Sequence, residues 1–549
     1  MSILDRIFFQ FNSFFSISKG QNVVSFLFII FFLVISYLSM QDKAWTYDEK
    51  AHFKYGGYIL NGSSNRFDDS KMPVSAWNVL PAKIAHFLPR GIVKTYFEDL
   101  PMARLMTILF SMVIAFMVFH WSRKLYGVIP AFVSLALYVL DPNIIAHSQL
   151  VTTDVYMMGM MLVSCYWLWR FANSRKSRDL WIFSLMLALA QLTKYTAVSM
   201  YPLLLAALFI HDLPPWRADI QMGCIRKVRL EMVMYIKYIV VVVMVSIVVI
   251  NVGFLFNRSF TPFNEYAFRS ELFKSMKLDV RVPIPYPFLE GFDWVISRER
   301  EGTGEGYGKI YMLGERRTVG FNGYYFVATL LKMPIATQVI LIAAFLVYFW
   351  KGRYKQSLWR DEIFLLLPIL FYTIYYNFFF NAQIGIRYYI IVFPLLYIFA
   401  GSLFVKWEAF SRIKRITAFM LCLYLLASTL SYYPNYLGYF NEIVWNRMEA
   451  YKYLADSNLD WGQDDITLEK YRKKHPDLIE VPIKPDIINE TRLYYESTNN
   501  IVGVTSIPDD YKWIRENFQP TGRIGTSYLL YKITPDEMRA FCNRTTYCQ

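Results

Sequence analysis

Charged residues are scarce in this chain of 549 residues. They make up 18% of it, where a soluble globular protein carries about 25%. Hydrophobic types account for 55% and aromatic types for 18%. Because such a chain cannot cover its surface with polar groups, its composition excludes a soluble enzyme, a disordered protein and a fibre. Lipid must be the solvent for most of it, which predicts an integral membrane protein.

Cysteines are also few, with five in the whole sequence, so a disulfide framework is excluded. Cys165 and Cys422 lie inside apolar runs, where we expect them to be packing residues. Cys542 and Cys548 lie near the C-terminus and could pair if that end is in an oxidising compartment. The sequence leaves their pairing open.

Several catalytic motifs are missing. The sequence has no Gly-rich nucleotide loop, no HExxH zinc motif and no GxSxG elbow. Without an ATP site a pump is disfavoured, and charges inside the apolar runs are too sparse for ion-coupled transport. The net charge of +14 comes from Lys and Arg in short segments between apolar runs. That distribution is typical of membrane orientation signals, so no nucleic-acid partner is predicted.

Apolar stretches of about 17–25 residues can cross roughly 30 Å of hydrocarbon as helices. The sequence has eleven apolar stretches of about this kind, and the first has no cleavage site after it, so we expect it to be retained. They predict a mainly α, polytopic membrane protein with about 11 transmembrane helices. The stretches are 22–40, 101–119, 127–141, 154–171, 180–193, 195–211, 232–254, 334–350, 362–380, 388–405 and 416–433.

The distribution of basic residues predicts the orientation. Lys and Arg are abundant in alternate connecting loops, whereas the loop 142–153 has none. The positive-inside rule then places the N-terminus in the cytoplasm and the C-terminus outside it. The long segments 41–98, 255–333 and 434–549 would lie outside the membrane. We predict a transmembrane module over 1–433 and a small mixed α/β domain over 434–549.

Two adjacent carboxylates, Asp48 and Glu49, follow the first apolar stretch. One interpretation is a helix start, because Thr46 and Glu49 have the spacing of a capping box. It does not explain why Asp48 and His52 are four residues apart and so share a helix face. The other interpretation makes Asp48 a general base that His52 or Glu49 supports.

Asp154 opens the fourth apolar stretch, on the same predicted side of the membrane as Asp48. It could belong to a helix N-terminus that Thr152 or Thr153 caps. Alternatively, the two acids form one outward-facing site. Four cations lie at span boundaries on that side, where each could snorkel to the interface or bind an anionic head group. They are Arg104, Lys194, Lys332 and Arg387.

Eight segments, in order over nearly the whole chain, carry a resemblance to a known family. They resemble the protein O-mannosyltransferase-like membrane glycosyltransferases (glycosyltransferase family 39, GT-C fold), especially their bacterial branch. The segments are Asp48–His52, Leu150–Asp154, Leu192–Tyr195, Tyr311–Glu315, Leu330–Pro334, Arg387–Tyr389, Tyr439–Glu442 and Asp456–Asp464.

The resemblance implies a GT-C bundle that transfers a sugar, with inversion, from a polyprenyl-phosphate donor. The acceptor would be a hydroxyl of a protein, glycan or lipid on the extracytoplasmic side. Asp48 would be the catalytic base, and Arg104 and Arg387 would contact the phosphate. The predicted substrate-binding residues are Glu49, His52, Arg104, Asp154, Lys194, Lys332, Arg387 and Tyr388.

The resemblance implies no required cofactor, although some relatives use a divalent metal near the phosphate. Asp48, Glu49, His52 and Asp154 could supply ligands, but their spacing does not establish a metal site. The segment 434–549 lacks the large β-trefoil insertion of the eukaryotic relatives, which favours a bacterial inner membrane.

Two other classes of function stay open. A transporter or flippase of lipid-linked sugars would show repeated halves, broken helices and charges at the middle of the bilayer, and the sequence shows none of these patterns. A catalytically inactive relative could bind a glycan lipid as a subunit of a complex. Such a subunit would not need Asp48, Asp154 and the arginines together.

Overall fold

The structure is a computed structural model that describes residues 18–63, 71–301, 309–352, 357–545 and 547–548. Helices dominate these ranges, and two small β-sheets lie in the segments predicted to be outside the membrane. The predicted fold class, a mainly α polytopic membrane protein with a small mixed α/β C-terminal region, is confirmed.

The first half of the described chain is entirely helical, with short connections. Its helices are α1 (Ser18–Ser39), α2 (Glu49–Leu60), α3 (Ser75–Ala85), α4 (Ile92–Glu98), α5 (Leu100–Tyr126), α6 (Val128–Val139), α7 (Pro142–Ser148), α8 (Asp154–Ser174), α9 (Ser177–Ala190), α10 (Met200–Gln221) and α11 (Ile225–Gly253).

The second half mixes helices with short strands. Its helices are α12 (Glu271–Lys274), α13 (Tyr286–Glu301), α14 (Tyr324–Lys332), α15 (Ile335–Trp350), α16 (Ile363–Phe378), α17 (Phe393–Gly401), α18 (Arg412–Leu430), α19 (Asp465–Lys474), α20 (Thr498–Ile501), α21 (Lys512–Asn517) and α22 (Pro535–Cys542). Its strands are β1 (Ile310–Met312), β2 (Glu315–Arg317), β3 (Leu478–Glu480), β4 (Arg492–Ser497), β5 (Gly522–Ile524) and β6 (Tyr528–Ile533).

All eleven predicted stretches are helical. Six helical segments of the described chain are long and apolar enough to span a membrane: α1, α5, Tyr195–Gln221, α11, Ile386–Phe404 and α18. Two more candidate spans are bent pairs, α6 with α7 at 60° and α14 with α15 at 119°. The three remaining stretches form α8, α9 and α16. Of these, α9 and α16 are short, with 14 and 16 residues, and α8 carries Tyr, Trp and Arg side chains that make it more polar.

Close packing of α5 against α8 fixes where the extramembrane end of α8 lies. Gly159 in α8 leaves no room for a Cβ atom, because Phe110 and Ile114 of α5 fill that space. The chain then returns through α9, which ends at Ala190. Lys194 follows in an extended conformation, before the 3₁₀ turn Tyr195–Ser199. Lys194 therefore lies at the same end of the bundle as the start of α8.

The C-terminal region is built on a four-stranded sheet in the order β3-β4-β6-β5. Strand β3 is parallel to β4, and the other pairs are antiparallel. Cys542 and Cys548, whose pairing the sequence leaves open, are joined by a disulfide bond. Buried side chains form one continuous cluster from Ile29 in α1 to Tyr531 in β6, so the C-terminal region packs directly on the helical bundle.

Candidate active site

An ion pair between Asp48 and Arg387 joins the segment that follows α1 to the candidate span that contains α17. Asp48 precedes α2, and Arg387 lies in the 3₁₀ segment Ile386–Val392. The Nη1 of Arg387 donates to Oδ2 of Asp48 at 2.7 Å. Burial raises the pKa of Asp48, but the charge and hydrogen bond of Arg387, together with the nearby His52 and Lys71, hold that pKa below its ordinary value. Asp48 is therefore a carboxylate at neutral pH, and 37% of its side chain is exposed.

A second ion pair joins Asp154 to Lys194. The Nζ of Lys194 donates to Oδ1 of Asp154 at 2.6 Å, and it lies 4.0 Å from the centre of the Tyr388 ring. Burial lowers the pKa of Lys194, although Asp154 raises it. Thr153 precedes α8 without making a side-chain cap, so the capping interpretation does not account for Asp154.

His52 lies one helical turn after Asp48 on α2, as their spacing predicts. Its ring is buried, and Nδ1 lies 3.4 Å from Oγ of Ser75. Burial lowers the pKa of His52 to about 4, although Asp48 raises it. The imidazole is therefore neutral at neutral pH and cannot compete with Arg387 as a cationic partner of Asp48.

Six of the nine predicted site residues line one cavity of about 180 Å³. Residues from distant parts of the chain thus meet at one end of the bundle. Asp48 and Asp154 face the same cavity, as one of the two interpretations of Asp154 requires. The six residues are Asp48, His52, Asp154, Lys194, Arg387 and Tyr388.

Glu49 and Arg104 do not line this cavity, because they bind each other in the protein interior. Arg104 donates from Nε and Nη2 to the two carboxylate oxygens of Glu49, at 2.9 and 2.6 Å. Glu49 also accepts from the backbone N–H groups of Thr46 and Val151, at 2.8 and 2.9 Å. The Thr46 hydroxyl is not part of this network, so only one half of the capping box forms. The pair locks α2 to α5.

Lys332, at the end of α14, also lies away from the cavity. Its Nζ is buried and donates to the backbone carbonyls of Leu437, at 2.9 Å, and Asn458. Lys332 therefore connects α14 to the C-terminal region. The sequence places Lys332 and Lys194 alike at the ends of apolar stretches and cannot distinguish them.

Glu299 of α13 lines the cavity but is absent from the predicted set. It accepts a hydrogen bond from the Tyr375 hydroxyl of α16. Burial raises the pKa of Glu299 to about 7, although Tyr375 and Lys194 lower it. The sequence signal is weak, because Glu299 lies among alternating charges in Arg298–Glu301 that are typical of a solvated helix face.

An apolar groove of about 470 Å³ lies beside this polar cavity. Side chains of α8, α9, α10, α11 and α13 line it, and they are almost all hydrocarbon. The two spaces are neighbours because α13 and the 3₁₀ turn Tyr195–Ser199 contribute to both. The Tyr195 and Phe288 rings, 5.6 Å apart, stand between them.

The model of a protein family described as dolichyl-phosphate-mannose-protein mannosyltransferase matches residues 97–246. Over that segment the chain is similar to this family. The match begins just before α5 and ends within α11, and it confirms the resemblance to the mannosyltransferase-like membrane glycosyltransferases that the sequence motifs indicate. A comparison with curated protein sequences gives no match.

Two solved structures are similar over most of this chain at low identity. ArnT from Cupriavidus metallidurans bound to undecaprenyl phosphate aligns with a TM-score of 0.49 and 10% identity, over 94% of this chain and 98% of that one. The apo oligosaccharyltransferase of Archaeoglobus fulgidus aligns with a TM-score of 0.44 and 11% identity, over 79% of this chain and 56% of that one.

The arrangement of the acidic side chains does not fit a divalent metal ion. In the described ranges no three His, Cys, Asp or Glu side chains are close enough to hold one together. Asp48 and Asp154 are each bound to a cationic side chain, and both carboxylate oxygens of Glu49 are bound to Arg104. Arg387 and Lys194 thus place two positive charges beside the carboxylates that line the cavity.

Proposed function

We propose that the chain is an inverting membrane glycosyltransferase, which moves a sugar from a polyprenyl-phosphate donor to a hydroxyl group of an acceptor. The observation that carries this proposal is the convergence of the Asp48–Arg387 and Asp154–Lys194 pairs on one cavity. The family match over residues 97–246 supports it.

Arg387 and Lys194 are suited to hold the donor's phosphate. A guanidinium presents a planar fork to phosphate oxygens, and an ammonium adds a point charge. The Nε of Arg387 is buried and has no hydrogen-bond partner in the described part of the chain. A buried donor without a partner is costly, and a phosphate oxygen would satisfy it. Tyr388 contacts both cations and keeps them side by side.

Asp48 is suited to take the acceptor's proton. The acceptor oxygen bonds to the anomeric carbon while the bond from that carbon to the phosphate oxygen breaks. The electron pair leaves with the phosphate on its polyprenyl carrier, and the proton passes to the Asp48 carboxylate. One carboxylate suffices for an in-line displacement with inversion, whereas retaining hydrolases need two. Arg387 both keeps Asp48 ionised and stabilises the negative charge that develops on the phosphate.

The apolar groove beside the cavity is suited to the polyprenyl chain. Its lining offers almost no polar atoms, so a hydrocarbon tail can pack against it without burying a polar group, and close van der Waals contact with the walls would favour the tail there over loose lipid. A donor would place its phosphate at Arg387 in the polar cavity and its polyprenyl tail in the apolar groove.

The positive-inside rule supports an extracytoplasmic position for this cavity, and the lack of the β-trefoil insertion of the eukaryotic relatives favours the inner membrane of a bacterium. We expect the acceptor to be a protein, glycan or lipid that reaches the site from that side. Mass spectrometry of the envelope glycans and glycoproteins of a deletion strain would identify it, because the missing sugar would name the donor and acceptor together.

The decisive test is Asp48→Asn in purified protein reconstituted in nanodiscs, with transfer measured from a polyprenyl-phosphate sugar. We expect transfer to fall by at least about a hundredfold, because an amide cannot accept the proton. The matched control is Asp42→Asn in the same loop, since Asp42 is exposed and contacts only Lys470 among the ion pairs of the described chain. Full transfer by Asp48→Asn would refute the assignment of the base.

A further inference from the structure

The C-terminal region reaches the active site through one short segment, residues 457–464. On one side this segment holds the loop that ends in Asp48. The backbone N–H of Tyr47 donates to the carbonyl oxygen of Trp461 at 3.2 Å. The N–H of Ala44 donates to the carbonyl oxygen of Gln463 at 3.0 Å. Lys43 binds the carboxylate of Asp464 at 2.7 Å.

On its other side the same segment holds the backbone that leads to Arg387. The N–H of Ile386 donates to Oδ1 of Asn458 at 3.0 Å. The hydroxyl of Ser457 donates to the carbonyl oxygen of Ile384. Gly385 lies so close that an added Cβ atom would overlap the Ser457 hydroxyl. Residues 457–464 therefore contact the immediate sequence neighbours of both Asp48 and Arg387.

Trp461 adds a direct contact with the guanidinium. The central carbon of the Arg387 guanidinium lies 4.1 Å from the centre of the indole ring, and the ring is buried. The indole edge also meets His147, with the ring centres 6.5 Å apart. Stacking on a desolvated Trp stabilises a guanidinium and restricts the directions in which it can donate.

We propose that Trp461 is a positioning residue for Arg387, and that residues 457–464 set the geometry of the Asp48–Arg387 pair. The C-terminal region would then complete the active site. This inference rests on the proposed function, because Arg387 must donate hydrogen bonds to Asp48 and to a donor phosphate at the same time. A guanidinium that is free to rotate could satisfy only one of them at a time.

The test compares Trp461→Leu with Trp461→Phe in the full-length protein. Without an aromatic face, Arg387 stabilises the donor phosphate less well, so we expect a fall of about tenfold in kcat/KM for the donor. Both kcat and the donor KM should change, while the acceptor KM should not. Trp461→Phe keeps a ring under the guanidinium and should recover most of the activity.

The matched control is Trp513→Leu, which removes another buried indole of the C-terminal region. Trp513 donates to the backbone carbonyl of Pro482 at 3.1 Å. We expect it to reduce the yield of folded protein but to leave the kinetic constants per folded molecule unchanged. If Trp513→Leu changed kcat and the donor KM as Trp461→Leu does, the role of Trp461 would be general packing and the proposal would be wrong.

Hydrogen exchange separates failure of this inference from failure of the proposed function. We expect the peptide over residues 384–392 to exchange faster in Trp461→Leu than in Trp513→Leu, whether or not transfer is detected. Unchanged exchange there would overturn the inference, whereas absence of transfer by the wild-type protein would overturn the function alone. Ser457→Ala removes one hydrogen bond only and should give the same effect, smaller in size, if Trp461→Leu does not fold.

Discussion

Glu299 differs from the other carboxylates of the cavity because it is not part of an ion pair of the described chain. Asp48 and Asp154 are each bound to a cation at 2.6–2.7 Å, whereas Glu299 accepts from a neutral phenol, Tyr375. Burial accordingly raises the pKa of Glu299 to about 7. Near neutral pH this side chain can either donate to a sugar hydroxyl or carry a charge that opposes an anionic donor.

This leads to a prediction about pH. As pH rises through about 7, Glu299 loses its proton, and its negative charge repels the donor phosphate. The donor KM of the wild-type protein should therefore rise between about pH 6 and pH 8. In Glu299→Gln the side chain stays neutral, so the donor KM should stay flat over that window. Steady-state kinetics at fixed saturating acceptor would measure both profiles.

Glu265→Gln is the matched control for Glu299→Gln, because Glu265 is an exposed acid of the same extramembrane segment. It should keep the wild-type profile. A rise that persists in Glu299→Gln would point instead to Asp456 or Asp460, because burial raises their pKa values to about 7 and about 6. A flat wild-type profile would exclude all three carboxyls.

At the scale of elements, the buried pair of Glu49 and Arg104 connects α2 to α5. Both side chains are at most 1% exposed. Arg104 also donates to the backbone carbonyls of Lys43 and Ala44, at 3.0 and 2.6 Å. Removal of one partner would leave a buried charge uncompensated, which costs about 3–5 kcal/mol.

We therefore predict that Arg104→Ala lowers the free energy of unfolding by about 3–5 kcal/mol, measured as a lower melting temperature in detergent. Arg104→Lys keeps the charge but loses the bidentate hydrogen bonding to Glu49, so its melting temperature should be intermediate. Arg178→Ala, at an exposed position of α9, should melt as the wild type does. An Arg104→Ala protein with normal stability and a raised donor KM would instead support the phosphate contact that the resemblance implies.

The sequence predicts where the helices lie much better than it predicts which way their side chains point. All eleven apolar stretches form helices, but in the described ranges only six helical segments, or eight with the two bent pairs, are long and apolar enough to span a membrane, because crossing hydrocarbon requires about 20 consecutive apolar residues. The spacing of Asp48 and His52 was equally informative, because a helical turn fixes their common face. Arg104 and Arg387 look alike in sequence, since both lie at the end of a span. Only the rotation of each helix against its neighbours turns Arg104 toward Glu49 and Arg387 toward the cavity.

At the scale of the whole molecule, the cavity exists only because segments far apart in sequence meet. Asp48 and Arg387 are 339 residues apart, and no local pattern encodes that contact. Glu299 comes from α13, and Trp461 from the C-terminal region. The motif Asp456–Asp464 carries part of the family resemblance, but its contacts with Arg387 and with the sequence neighbours of Asp48 depend on tertiary packing.

The same long-range assembly places the apolar groove beside the polar cavity, and this leads to a prediction about the donor's carrier. Val242 of α11 lines the groove, and Val242→Trp would fill part of it. Displacement of part of the carrier from the groove exchanges close contacts with its walls for looser contacts with lipid, at about 0.1–0.2 kcal/mol per lost atom contact. The donor KM should therefore rise by roughly threefold to tenfold for an undecaprenyl carrier. A geranyl carrier, which is too short to extend along the groove, should be unaffected.

Val248→Trp provides the matched control on the same helix. Val248 is 57% exposed and does not line the groove, so an indole there would meet lipid instead. We expect it to leave the KM for both carriers unchanged. Equal losses for long and short carriers in Val242→Trp would mean that the substitution disturbs the polar cavity rather than the tail. An equal effect of Val248→Trp would mean that the added indole acts through the bilayer, and the groove would then have no part in carrier recognition.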